Sequence, residues 1–194
     1  MKNLLFALII LGGILAEGQS MSKQAFRRSQ SDFILSAGVN ALGNLGTRNP
    51  VEDLGDFSLQ NPVILGFEYK WFDFLSIEQD FIFNGYDEGE FTDNAILNDD
   101  VLYFSTNTNV KFYFSDYLYD ANWVDLYIAT GLGIFTIDKV NSSFNVLGGV
   151  NFWVNRTRTI GIRLQSAGKF AFNHPDRRVD NNHWIHSIQA TFRL

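Results

Sequence analysis

The chain is predicted to be all-β, an eight-stranded antiparallel up-and-down transmembrane β-barrel, on three observations. Apolar and polar residues alternate with a period of two in eight segments, as strands with two different faces require. Compact connections are set against longer polar ones, and aromatic residues gather beside the compact ones. Composition agrees, since 19 Phe, 7 Tyr and 4 Trp against 3 Pro favour strands over helices, and 194 residues suit one barrel.

Residues 1–18 read as a signal peptide: Lys2, an apolar run from Leu4 to Leu15, then small residues at Ala16 and Gly18 where cleavage would leave Gln19 first. An anchor helix needs about 20 apolar residues. Glu17 interrupts the run too early for that. Residues 19–31, with Lys23, Arg27 and Arg28, are polar and aperiodic and are expected to form a flexible periplasmic N-terminal segment. The barrel is assigned to residues 32–194.

The first strand is set by Phe33, Leu35, Ala37 and Val39 alternating with Ile34, Ser36, Gly38 and Asn40. The same test predicts strands near Pro62 to Lys70, Leu75 to Gly85, Leu102 to Phe114, Val124 to Phe135, Ser143 to Val154, Ile160 to Phe172 and His183 to Leu194. Connections after the second, fourth and sixth strands are compact (Trp71 to Phe74, Ser115 to Trp123, Asn155 to Thr159). Those after the first and third are long and polar (Leu42 to Asn61, Tyr86 to Val101), that after the seventh is intermediate (Asn173 to Asn182), and Thr136 to Ser142 is short. Short turns on one rim and longer loops on the other, with an even strand number, are the plan of bacterial outer-membrane barrels, whose termini lie on the periplasmic side.

A soluble barrel has the same period with its faces exchanged, so the content of each face decides. One face is nearly free of charge: Val63, Leu65, Phe67; Leu75, Ile77, Phe81, Phe83; Phe104, Val110, Phe112, Phe114; Leu126, Ile128, Leu132, Ile134. Tyr69, Trp71, Tyr113, Tyr117, Tyr119, Trp123 and Trp153 crowd the short-turn rim and are assigned to an interfacial aromatic girdle. The other face carries a balanced charge network, Glu68, Glu78, Asp80 and Asp125 against Lys70, Lys111, Arg163 and Arg193. Small residues share that phase (Gly38, Gly66, Ala129, Gly131, Gly133, Gly149, Gly161), as a narrow lumen just filled by side chains demands.

The last segment, Ser187 to Leu194, places Ile188, Ala190, Phe192 and Leu194 in one phase and resembles the terminal strand by which outer-membrane proteins are recognised for barrel assembly, closing on Leu in place of the usual Phe. Asp125 to Gly133 and Gly148 to Trp153 resemble the fifth and sixth strands of small barrels of the OmpA, OmpX and OmpW types, especially those of Bacteroidota. The resemblance implies an outer-membrane location in a Gram-negative-type bacterium, the barrel-assembly machinery as a partner during biogenesis, and contact with outer-membrane lipid and lipopolysaccharide. No peptidoglycan module is expected after the last strand.

Formal net charge is −6, with Lys and Arg scattered, so no nucleic acid partner is expected. The absence of cysteine excludes disulfides, thiolate chemistry and a lipidated Cys. Asp87, Glu88, Glu90, Asp93, Asp99 and Asp100 cluster in the second long loop, but their spacing does not fit the EF-hand pattern, and they read as a solvated loop tip with no metal assigned. His174, His183 and His186 lie near Ser187, Asp176 and Asp180, yet His186 and Ser187 are adjacent and would point to opposite faces of a strand. Arg177 and Arg178 read as paired locally with Asp176 and Asp180. No phosphate loop, dinucleotide fingerprint or zinc spacing occurs, and no catalytic residue or cofactor is assigned. The expected function is a non-enzymatic structural or interaction role, as a surface protein or an accessory subunit with an envelope protein partner. The alternatives are a narrow OmpW-like conduit for small hydrophobic solutes and an outer-leaflet lipid-modifying enzyme.

Overall fold

The computed structural model describes residues 33–43, 55, 57–92, 95–118, 123–137, 139–155, 157–172 and 182–194. The expected signal peptide and N-terminal segment lie outside these residues, as do Tyr119, Asp93, His174, Asp176, Arg177, Arg178 and Asp180.

Eight strands close into an antiparallel barrel: β1 (Phe33–Leu42), β2 (Val63–Phe72), β3 (Leu75–Tyr86), β6 (Val101–Tyr113), β7 (Val124–Ile137), β8 (Lys139–Trp153), β9 (Ile160–Ala171) and β10 (His183–Arg193). Around the ring the order is β1, β10, β9, β8, β7, β6, β3, β2, and closure pairs β1 with β10 from Ile34↔Arg193 to Leu42↔Ile185. Two short strands, β4 (Phe91–Thr92) and β5 (Ala95–Ile96), form a hairpin inside the acidic loop, and a single helical turn, α1 (Ser115–Leu118), fills part of the connection after β6. Closure removes the edges from the eight-stranded sheet.

The strands agree with the alternation, with one extension. The expected connection Thr136 to Ser142 is largely ladder: Ile134↔Ser142, Phe135↔Asn141, Thr136↔Val140 and Ile137↔Lys139 pair, so β7 and β8 meet in a tight hairpin. The alternation continues there, with Phe135 and Asn141 inward and Val140 outward, so no physical signal ends the strands earlier.

The exterior of the strands is largely apolar, interrupted by a polar group of Gln79, Thr106, Thr108 and Thr130 on β3, β6 and β7. Val39, Ile128, Leu132 and Ile188 are between 53% and 60% exposed, alongside Leu65, Phe67, Phe81, Phe144, Phe170 and Phe192. A belt of this kind would be unstable against water and is what a lipid-facing wall presents. The interior divides by height. Its turn-side and middle levels hold buried charges and amides, while the loop-side level is an apolar plug of Leu42, Ile64, Ile82, Tyr86, Tyr103, Phe135 and Ile185. At Gly149 a Cβ would overlap the Tyr127 hydroxyl, so glycine there makes room for that ring in the lumen.

Candidate functional site: the filled lumen and its rims

The charge set predicted for the inward face comes together only in part. Glu68 on β2, Glu78 on β3, Lys111 on β6 and Arg163 on β9 form one buried cluster. Lys111 Nζ lies 3.2 Å from Glu68 and 2.7 Å from Glu78, and Arg163 donates to Glu68 at 2.6 Å and to Glu78 at 2.5 Å. Strands β9 and β3 stand on opposite sides of the ring, so Arg163 is a strut across the bore. The Ser76 and Tyr113 hydroxyls also donate to Glu68, at 2.6 and 2.5 Å. A carboxylate taken from water is stable only when its lone pairs are met in this way.

The remaining charges take other partners. Asp80 accepts from the amides of Asn107 (2.5 Å) and Asn109 (2.9 Å). Asp125 pairs with Arg158 from the turn after β8 and accepts from the Trp153 indole at 2.7 Å. Lys70 Nζ sits 4.1 Å above the Tyr113 ring, and the Arg193 guanidinium 4.8 Å from the Trp153 ring.

Two further struts were not anticipated. Lys169 on β9 donates to the Ser105 hydroxyl at 2.6 Å and to the Asn107 side-chain Oδ1, both on β6. His183 on β10 meets the Tyr103 hydroxyl at 2.9 Å and is 2% exposed, so it belongs to the interior and not to the loop. Both share the phase of inward neighbours, Lys169 with Arg163 and Gln165, His183 with Ser187 and Gln189, and parity alone would have found them.

The girdle needs a correction. Tyr69, Trp71, Tyr117 and Trp123 lie on the outside at the turn-side rim, joined by Phe33, Phe72, Phe74, Phe112 and Phe152: Phe33 packs on Tyr69 at 4.9 Å, Phe112 on Tyr117 at 6.1 Å and Trp123 on Phe152 at 6.0 Å. Tyr113 and Trp153 instead face the interior, 5% and 6% exposed. They follow Lys111 and Asn151 by two residues, and strand parity outranks nearness to a turn.

At the loop-side rim, acids of the second long loop tie it to the first and to itself. Asp87 accepts from Gln60 at 2.7 Å, and Asp100 accepts from the Glu88 N–H at 2.8 Å. Burial, with some help from Asp87, raises the Glu90 carboxyl above its ordinary range. No group of three metal-ligating side chains occurs among the described residues. His186 and Ser187 point to opposite faces, His186 outward against Phe57 and Ser187 inward.

No protein family and no curated protein matches the chain. Solved structures do. The chain is similar to the N-terminal β-barrel domain of OprF from Pseudomonas aeruginosa, with a TM-score of 0.56 at 10% identity over 85% of this chain and 100% of that one. It is similar to OprG of the same organism (0.55, 13%, 84% and 96%) and to Ail, the attachment invasion locus protein of Yersinia pestis (0.54, 13%, 86% and 100%). At these identities the fold is what is shared, and this chain has the fold of the small eight-stranded outer-membrane β-barrels.

Proposed function

We propose that the protein is a sealed, non-enzymatic barrel of the outer membrane of a Gram-negative-type bacterium, of Bacteroidota type, that works structurally or through partners. In this reading residues 1–18 export the chain, residues 19–31 lead into the barrel, and the terminal strand is read by the barrel-assembly machinery. The exposed loops meet lipopolysaccharide or an envelope protein. The lumen charges hold the barrel wall in shape, and the outward aromatics hold it at the interface.

One observation carries the reading. The interior is filled by side chains from turn side to plug, and the cavity left beside Asp80, Asn107, Gln165 and Lys169 is about 10 Å³. That is about the size of one water. A conduit for hydrophobic solutes needs an open apolar bore, and here the apolar loop-side level is packed shut by Tyr86, Tyr103 and Phe135. A surface role is what the name of Ail carries for that barrel, and loops on a rigid sealed scaffold suit such a role.

The test joins two measurements on the native protein. Reconstituted in planar bilayers it is expected to give no conductance above protein-free membranes, and purified in mild detergent it is expected to bring down another envelope component in fixed stoichiometry. Discrete conductance steps, or uptake of a small apolar solute into proteoliposomes, would overturn the sealed-barrel reading.

A further inference from the structure

The lipid-facing wall is bulky over most of its area; beside the short outward pair Ala37 and Ala190, small or polar residues form one continuous row across four strands. Ala41 on β1 pairs with His186 on β10, His186 with Ser166 on β9, and Ser166 with Gly148 on β8. All four face outward. The row on its turn side, Val39, Ile188, Leu164 and Val150, is fully aliphatic, and on its loop side Trp184 lies over Gly168. Small residues between two larger rows leave an open hollow of about 520 Å³, with Leu59 at its upper margin.

The direction of the hollow bears on its occupant. It starts beside the loop-side end of β1 at Ala41 and crosses the tilted strands to the turn-side half of β8 at Gly148. Its polar members lie toward the loop side, His186 with Phe57 against it at 5.0 Å and then Ser166 on the next strand, and the lower part is lined by Leu164, Ile188 and the bare Gly148 backbone. A polar group at the rim and an apolar track descending toward the bilayer centre match one amphiphile, a lipid of the loop-side leaflet. A second copy fits less well, because a two-fold contact sets hollow against hollow and leaves the space unfilled.

We infer that this row is a binding track for one acyl chain of an outer-leaflet lipid, with the headgroup held at the His186 end. The inference rests on the barrel's residence in a bilayer, and not on what its loops engage. Small outward residues let the chain lie close to the backbone, so the contact is by packing and differs from the loose annular contact of the rest of the wall.

Gly148→Leu is the direct test, since a Cβ at Gly148 meets nothing within 4 Å and a side chain there enters the hollow without disturbing the wall. Ser166→Leu fills the same track from the next strand. Wild type and both variants would be reconstituted in bilayers containing phosphatidylethanolamine with a photoactivatable diazirine on its acyl chain, and cross-linked peptides would be mapped. Labelling of wild type is expected to concentrate on β9 and β10 around Leu164 and Ile188, and to fall in both variants to the level of the opposite wall around Val110. Uniform labelling in wild type, or β9 and β10 labelling unchanged in the variants, would overturn the track while leaving the membrane barrel intact. So would recovery of a second polypeptide cross-linked at this wall in native membranes. Failure of the protein to fractionate with the membrane would instead strike at the outer-membrane reading itself.

Discussion

Arg163 shows how much one side chain can hold in a narrow barrel. It reaches from β9 to carboxylates on β2 and β3 and is 1% exposed, so its removal leaves Glu68 and Glu78 with Lys111 alone for charge balance. Breaking one partner of a buried ion set costs about 3–5 kcal/mol. Arg163→Ala is therefore expected to lower the urea midpoint of unfolding in detergent, and Glu68→Gln combined with Arg163→Met to lose less than the single change. Equal loss would mean the pair is not coupled. Lys169 and His183 make the same point about legibility: both were readable from parity, but a lysine and a histidine near a loop invite a solvent reading, and only the packed bore shows them as struts.

At the scale of elements, the weakest seam of the wall lies between β1 and β2. Their ladder stops at Gly38↔Ile64, although β1 continues to Leu42, where it meets Ser58. Two buried asparagines bridge the gap. Asn40 donates to the carbonyls of Val63 (2.9 Å) and Phe83 (3.0 Å), and Asn84 donates to Asn40 Oδ1 (2.8 Å) and to the Ser58 carbonyl (3.1 Å). Pro62, which has no N–H, stands where the ladder would have continued, so side-chain amides take over the work of backbone pairing. Asn84→Ala is expected to cost about 1–3 kcal/mol for the groups left unmet. Amide exchange over residues 57–64 should quicken while β7 and β8 stay protected; uniform exchange across the barrel would show the seam to be no weaker than the rest. This bridge was not foreseen, because an Asn in an inward phase reads simply as lumen filler.

At the scale of the molecule, the outward belt makes depth in the bilayer an energetic coordinate. Val146 lies midway along β8 and Val140 near its loop-side end, both outward. Arginine at the midplane of a lipid-facing wall costs about 2–4 kcal/mol, and near the interface about 0–1. Val146→Arg is thus expected to destabilise the barrel in lipid vesicles by clearly more than Val140→Arg. Equal costs would place the belt outside a membrane.

Strand number, strand phase and the apolar exterior were determined by the sequence alone, because a period of two is local and survives any arrangement of the strands around the ring. Which inward groups meet was decided by closure. Arg163 and Glu78 are 85 residues apart and become partners only when β9 faces β3 across the bore, while Asp80, two residues along the same strand as Glu78, is turned to amides instead. The same holds for the two rims: nearness to a turn suggested that Tyr113 and Trp153 belong to the girdle, but the pleat sends them inward. The hollow along Ala41, His186, Ser166 and Gly148 is likewise a property of register, since four unremarkable residues on four strands become one row only when the barrel shuts.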